Sequence, residues 1–124
     1  MKEVVEMKQA VILPLGVVAS NGMYFPIGAK IWRDESKEHK ITDDSGRVIG
    51  TAKNFGSRSD AIVADIEIEK EFVDFAIRPR VELDIKNRYF FGGKYVIKEA
   101  TVIGIDAIPK SKDIFERLGG DVNE

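Results

Sequence analysis

Between Ala61 and Glu69 the chain alternates with a period of two. Ile62, Ala64, Ile66 and Ile68 interleave with Asp65, Glu67 and Glu69. A helix, with its 3.6-residue repeat, scatters these groups around its axis, whereas a strand sorts them onto opposite faces. One apolar and one charged face describe a strand packed on one side and solvated on the other. The pattern returns where Val81, Leu83 and Ile85 alternate with Arg80, Glu82, Asp84 and Lys86.

The rest of the chain agrees with a β reading. Gln9–Ala19 is rich in Val, Ile and Leu, with Pro14 forcing an edge position or a bulge. Ser20-Asn21-Gly22 reads as a turn. Met23–Trp32 holds a short strand interrupted by Pro26 and Gly28. Arg33–Asp44, closed by Ser45-Gly46, is the most polar stretch and predicts a solvated loop (about 33–46) or a short exposed helix. Arg47–Phe55 is a strand, Gly56–Asp60 a turn, and Lys70–Ala76 a helical turn or loop. Arg88–Phe91 and Lys94–Ile97 flank Gly92-Gly93, the signature of a two-residue hairpin whose turn needs positive φ. Tyr89, Phe91, Tyr95 and Ile97 are expected to pair across it. Lys98–Ile108 continues as a long apolar strand, bent at Gly104. After Pro109, Ser111 is a reasonable N-cap with Asp113 behind it, for a C-terminal helix over about 111–118. Ile114, Phe115 and Leu118 form its apolar stripe and Gly119 its end.

The fold class is therefore mostly β. The expectation is a small β-barrel or a compact β-rich α+β domain of six to seven strands with a short C-terminal helix, in one domain spanning 1–124; a two-sheet sandwich is the alternative. At 44% hydrophobic and 32% charged residues, the chain has the composition of a folded domain. Folding a chain this size buries roughly two-thirds of its surface. Lys98–Ile108 is apolar on both faces, so it is either central or covered. A second chain over any open face predicts a homo-oligomer, most simply a twofold dimer.

Several chemistries are excluded. Without cysteine there is no thiol catalysis, disulfide or Cys-ligated metal. One histidine cannot build a multi-histidine metal site within a chain. Phosphate-binding glycine motifs are missing, and no cofactor or metal is expected. A net charge of −2 gives no bulk pull toward nucleic acid. Met1–Ala10 is too charged for a secretory apolar region, and the apolar run Ala10–Ala19 is too short to span a bilayer. The expectation is a cytoplasmic protein with no membrane partner.

Three groups of residues carry candidate chemistry. His39 is the one side chain that titrates near neutrality unperturbed, and Ser57 or Ser59 are the turn serines a fold could bring to it as nucleophile. Arg78-Pro79-Arg80 holds two arginines on either side of a rigid residue. With Lys86 they could bind a phosphate, a carboxylate or a partner, or pair with the acidic face of Ala61–Glu69. Tyr89, Phe90 and Phe91 beside Lys86, Arg88 and Lys94 form a basic-aromatic cluster of a type that stacks single-stranded bases, though in a hairpin such residues usually pair across strands in the core.

The order of these segments carries a resemblance. His39 lies in the polar loop, Val48-Ile49-Gly50 follows, and Ala64-Asp65-Ile66-Glu67-Ile68 alternates. Phe75-Ala76-Ile77-Arg78-Pro79-Arg80 comes next, and Lys98–Pro109 closes the series. Over about residues 9–112 this resembles the capsid-maturation (prohead) proteases of tailed bacteriophages, with their herpesvirus assemblin-like fold. The resemblance implies that His39 stands where that family places its catalytic histidine. Where the serine strand would lie, residues 75–80 contain no Ser, Thr or Cys, so the nucleophile is missing. The implied function is a non-enzymatic structural or interaction protein: a prophage-encoded head-assembly or virion component that self-associates and contacts phage structural proteins, in the host cytoplasm or the virion. The alternatives are a serine hydrolase using His39 with Ser57 or Ser59, and a small anion-binding barrel using Arg78 and Arg80.

Overall fold

The computed structural model describes residues 3–34, 37–83 and 88–115. They form ten strands: β1 (Val4–Pro14), β2 (Met23–Tyr24), β3 (Lys30–Trp32), β4 (His39–Thr42), β5 (Val48–Arg58), β6 (Ala61–Glu69), β7 (Ala76–Leu83), β8 (Arg88–Phe91), β9 (Lys94–Ile97) and β10 (Glu99–Ile108). The expected six to seven strands undercount because short strands such as β2, β3 and β4 hold too few residues to show a period. The mostly β class stands. Among the described residues no helix is long and apolar enough to cross a membrane.

The larger sheet runs β1-β6-β5-β4-β10. β10 takes β4 and β3 in succession along one edge, both parallel, and β7 antiparallel along the other. β10 is thus central. Ala100, Val102, Ile105 and Ala107 point into the core, while Ile103 on its other face is 57% exposed. The bend expected at Gly104 is a register shift between Val102 and Gly104 against β7. The sheet curls until its outer strands β1 and β7 approach, where Arg78 of β7 donates to the Val11 carbonyl of β1 (3.2 Å). No ladder joins these two strands, and the barrel is not closed. A smaller sheet, β2-β9-β8, packs beside it.

The core is aliphatic, built around Ile12, Ile41, Ile49, Ile66, Ile68, Ile97 and Ile105 with Phe25. β-branched residues suit this use, since they pack well on a pleated surface. In β6 the alternation places Ile62, Ala64, Ile66 and Ile68 inside as expected, but Ala61 and Val63 are buried as well. The acidic face of β6 is not simply solvated. Asp65 sits between two bulges, accepting from the Gln9 amide (2.9 Å) and from Asn54 Nδ2 (3.1 Å). Among the described residues, Gln9 and Asn54 are the two non-glycine residues with positive φ, and each lies where the register slips against β6. These bonds, with Lys8 and Lys53 nearby, hold the Asp65 carboxyl below the usual carboxylate range.

Two local expectations are corrected. The polar stretch after Arg33 is not all loop, because β4 passes through it. Ile41 is fully buried and pairs with both Gly50 of β5 and Ile105 of β10. One apolar residue suffices for so short a strand when both its edges are paired. The turn expected at Gly56–Asp60 is shorter, because β5 continues to Arg58. Lys70–Phe72 forms one 3-10 turn, as expected, and a second occupies Lys110–Lys112. Ser111 lies inside that second turn, after Pro109. From Glu116 onward the expected C-terminal helix, including Leu118 and the Gly119 end, lies outside the described residues.

Candidate functional site

His39 opens β4 and is half-buried rather than free in a solvated loop. Its ring meets Phe55 edge-on, with centroids 5.0 Å apart. Nε2 lies 3.1 Å from the Asp34 carbonyl oxygen. A carbonyl only accepts, so the proton sits on Nε2. The sheet register keeps the serines away. His39 pairs with Ala52 of β5, and Ser57 is five residues further along that strand. Even with the bulge this is on the order of 13 Å of strand. The Ser57 hydroxyl accepts instead from Arg33 Nη2 (3.1 Å), and Ser59 follows in the tight β5–β6 turn. The hydrogen-bond chain a serine nucleophile needs is not assembled here.

The arginines of β7 do find carboxylates, but not those of β6. Arg78 binds both carboxylate oxygens of Asp113 through one edge of its guanidinium, Nε to Oδ1 at 3.1 Å and Nη2 to Oδ2 at 2.9 Å. Nη1 donates to the Val11 and Ile77 carbonyls, and the guanidinium lies 5.6 Å from the Phe115 ring centroid. Asp113, read from sequence as a residue near a helix start, is 1% exposed. A cavity of about 200 Å³ beside this pair is walled by Leu13, Phe25, Val81 and Ile108. Arg80 projects the other way and pairs with Asp106 (3.0 Å), which also accepts from Thr42 (2.9 Å). Four of the five donors of this fork are met, two by the carboxylate and two by carbonyls. Arg78 is therefore a structural tie between β7, β1 and the C-terminal segment. Lys86 lies outside the described residues.

Arg47 and Asp43 on the polar surface are likewise paired. Arg47 reaches Glu69 (3.0 Å) and Glu71 (3.5 Å). Asp43 accepts from the Ser45 hydroxyl and from the Ser45 and Arg47 amides, and these bonds lower its pKa. Among the described residues no three His, Asp or Glu side chains converge on a metal-sized site.

The β8–β9 hairpin is different. Gly92 and Gly93 have φ of 59° and 77°, the positive pair a type I′ turn requires. The register runs Tyr89 to Val96, Phe90 to Tyr95 and Phe91 to Lys94. The expected hairpin is present, but the expected pairs are not: a two-residue turn sets Tyr89 and Phe91 opposite Val96 and Lys94, while Tyr95 and Ile97 stand opposite Phe90 and Arg88, and the expected core setting is absent as well. Val96 and Ile97 are buried while Tyr89, Phe90 and Phe91 are 47%, 71% and 68% exposed. β9 lies on the core and β8 overhangs it. Beside Tyr89 and Phe91 runs a groove of about 320 Å³, completed by Tyr24, Ile27, Lys94 and Lys98. Lys94 sits 4.7 Å from the Tyr24 ring centroid, and Ile27 is 64% exposed. No family model, curated protein or solved structure matches the chain. The site is thus read from its own geometry. Ile27 gave no signal in the sequence, because it stands alone between Pro26 and Gly28 with no periodic neighbours.

Proposed function

We propose that this protein is a non-enzymatic interaction protein whose contact surface is the aromatic hairpin β8–β9. The observation that carries the reading is the exposure of Tyr89, Phe90 and Phe91 on one four-residue strand. Apolar patches of this kind on a folded surface mark interfaces. The candidate chemical groups support the same reading by being used elsewhere: His39 on Asp34 and Phe55, Ser57 on Arg33, Arg78 on Asp113 and Arg80 on Asp106. The segment order shared with the prohead proteases, without their nucleophile, supports a phage head-assembly or virion setting in which phage structural proteins are the partners.

A fluorophosphonate serine probe tests the non-enzymatic part. No labelling is expected, and stoichiometric labelling lost in Ser57→Ala or Ser59→Ala refutes it. Gene neighbours test the setting: portal and capsid genes alongside support it, whereas a metabolic operon sinks it.

A further inference from the structure

We infer that the occupant of this surface is a second copy of the same chain, joined by antiparallel pairing of β8 with β8 about a twofold axis. The inference rests on the reading of the hairpin as a contact surface.

The edges of the sheets single out β8, since the end strand β3 is only three residues long and its Ile31 carbonyl already accepts from Arg33 Nη1 (2.7 Å). β2 is covered by the segment before it, with Gly16 N donating to the Phe25 carbonyl (2.7 Å) and Ala19 N to that of Met23 (2.8 Å). β1 and β7 face each other across the Arg78 tie. Among the described residues β8 pairs with β9 alone. Natural edge strands are blunted by proline, inward charge or a bulge. Tyr89-Phe90-Phe91 has none of these and runs in unbroken register with β9.

The register also specifies which groups are free. A two-residue turn makes its flanking residues, Phe91 and Lys94, a hydrogen-bonded pair, and the pattern alternates from there. Tyr89 therefore directs its N–H and C=O at β9, while Phe90 and Arg88 direct theirs outward. Antiparallel β8 strands centred on Tyr89 satisfy these groups reciprocally, Phe90 of each chain against Arg88 of the other, with Tyr89 facing Tyr89 as the non-hydrogen-bonded pair. A twofold axis demands such self-complementarity, and this edge supplies it.

The area is of the right order. Tyr89, Phe90, Phe91 and Ile27 leave on the order of 500 Å² of apolar side chain in water, counting about 200 Å² per fully exposed aromatic. A standard interface buries roughly 800 Å² per partner, and the neighbouring polar groups make up a rim.

The chain has no cysteine, so single-cysteine variants report directly. Non-hydrogen-bonded antiparallel partners lie about 4.5 Å apart at Cα, within disulfide reach. Under mild oxidation Tyr89→Cys is expected to form a disulfide-linked dimer in high yield. Phe91→Cys, some 13 Å from its own mate at 3.3 Å per residue, is expected not to. By light scattering at tens of micromolar the parent chain should have roughly twice 13.9 kDa. Phe90→Pro, which removes an outward N–H and leaves the β9 ladder intact, should be monomeric with an unchanged circular dichroism spectrum. A monomeric parent with no cross-link overturns the inference, as does a dimer that survives Phe90→Pro. A monomer that binds oligo(dT) in a Phe91-dependent manner also overturns it and makes the hairpin a base-stacking surface. Serine-probe labelling of the same samples separates the two proposals. An unlabelled monomer removes the dimer alone, while a labelled protein removes the non-enzymatic reading.

Discussion

Replacing Asp113 isolates the Arg78 tie. The pair is bidentate, Asp113 is 1% exposed and the Arg78 side chain 14%, so neither charge has water to fall back on. Asp113→Ala strips two further donors of a buried guanidinium of their acceptors. Breaking one side of such a pair costs about 3–5 kcal/mol. Against a domain stability of about 5–15 kcal/mol this is a large fraction. With a urea m-value of about 1.5 kcal/mol/M, the unfolding midpoint should fall by roughly 2–3 M. Removing both charges tells the rest. In Arg78→Met with Asp113→Leu no charge is stranded, so the double variant should recover most of the loss and unfold close to the parent. Its coupling energy comes from the cycle Asp113→Leu, Arg78→Met and the double variant. The assay is equilibrium urea unfolding followed by circular dichroism, with an unchanged m-value as the check that one transition is compared. A midpoint shift below about 0.5 M for Asp113→Ala would mean that the carboxylate is solvated. Additive single effects in the cycle would mean that the two residues do not act on each other.

The hydrogen-bonded carboxylates of Asp65, at the bulges, and Asp43, in the β4–β5 turn, give a pH prediction. The Asp65 and Asp43 pKa values are held down by hydrogen bonds in the folded state, so their contribution is present above the unfolded carboxylate pKa and lost as pH falls through the folded one. Thermal melts should lose stability below about pH 4, and Asp65→Asn should flatten that fall; an unaltered acid profile would show the bulge bonds to be idle. At Gly50 an added Cβ would lie 2.3 Å from the Glu67 carbonyl oxygen of β6, a backbone atom that cannot swing away. Gly50→Ala should cost about 2–3 kcal/mol, read as a lower melting temperature, and a neutral substitution would contradict the β5–β6 register. Replacing Gly92 and Gly93 together with valine should cost about 2–4 kcal/mol because both occupy left-handed backbone, and a parental melting temperature would place the turn elsewhere.

Period two in Ala61–Glu69 and the Gly92-Gly93 turn were legible in the sequence because each is a local property. Side-chain alternation and the sign of φ depend on residues a few positions apart. Pro14 was legible as an edge signal for the same reason, since a missing N–H excludes a central ladder; it ends the outer strand β1. Arg78-Pro79-Arg80 stood out, but the acids that meet it, Asp113 and Asp106, lie 35 and 26 residues away along the chain. Nothing local distinguishes them from the acids of β6. The parallel pairing of β3 and β4 with β10 and the burial of Ile41 likewise depend on chain closure over long separations. The aromatic hairpin shows the division most plainly. Sequence determined that Tyr89, Phe90 and Phe91 form a strand of a two-residue hairpin. Only the tertiary structure decided that β9 is the strand lying on the core, which leaves those rings in water. A local pattern states which side chains share a face, and the packing of the whole chain states whether anything covers it.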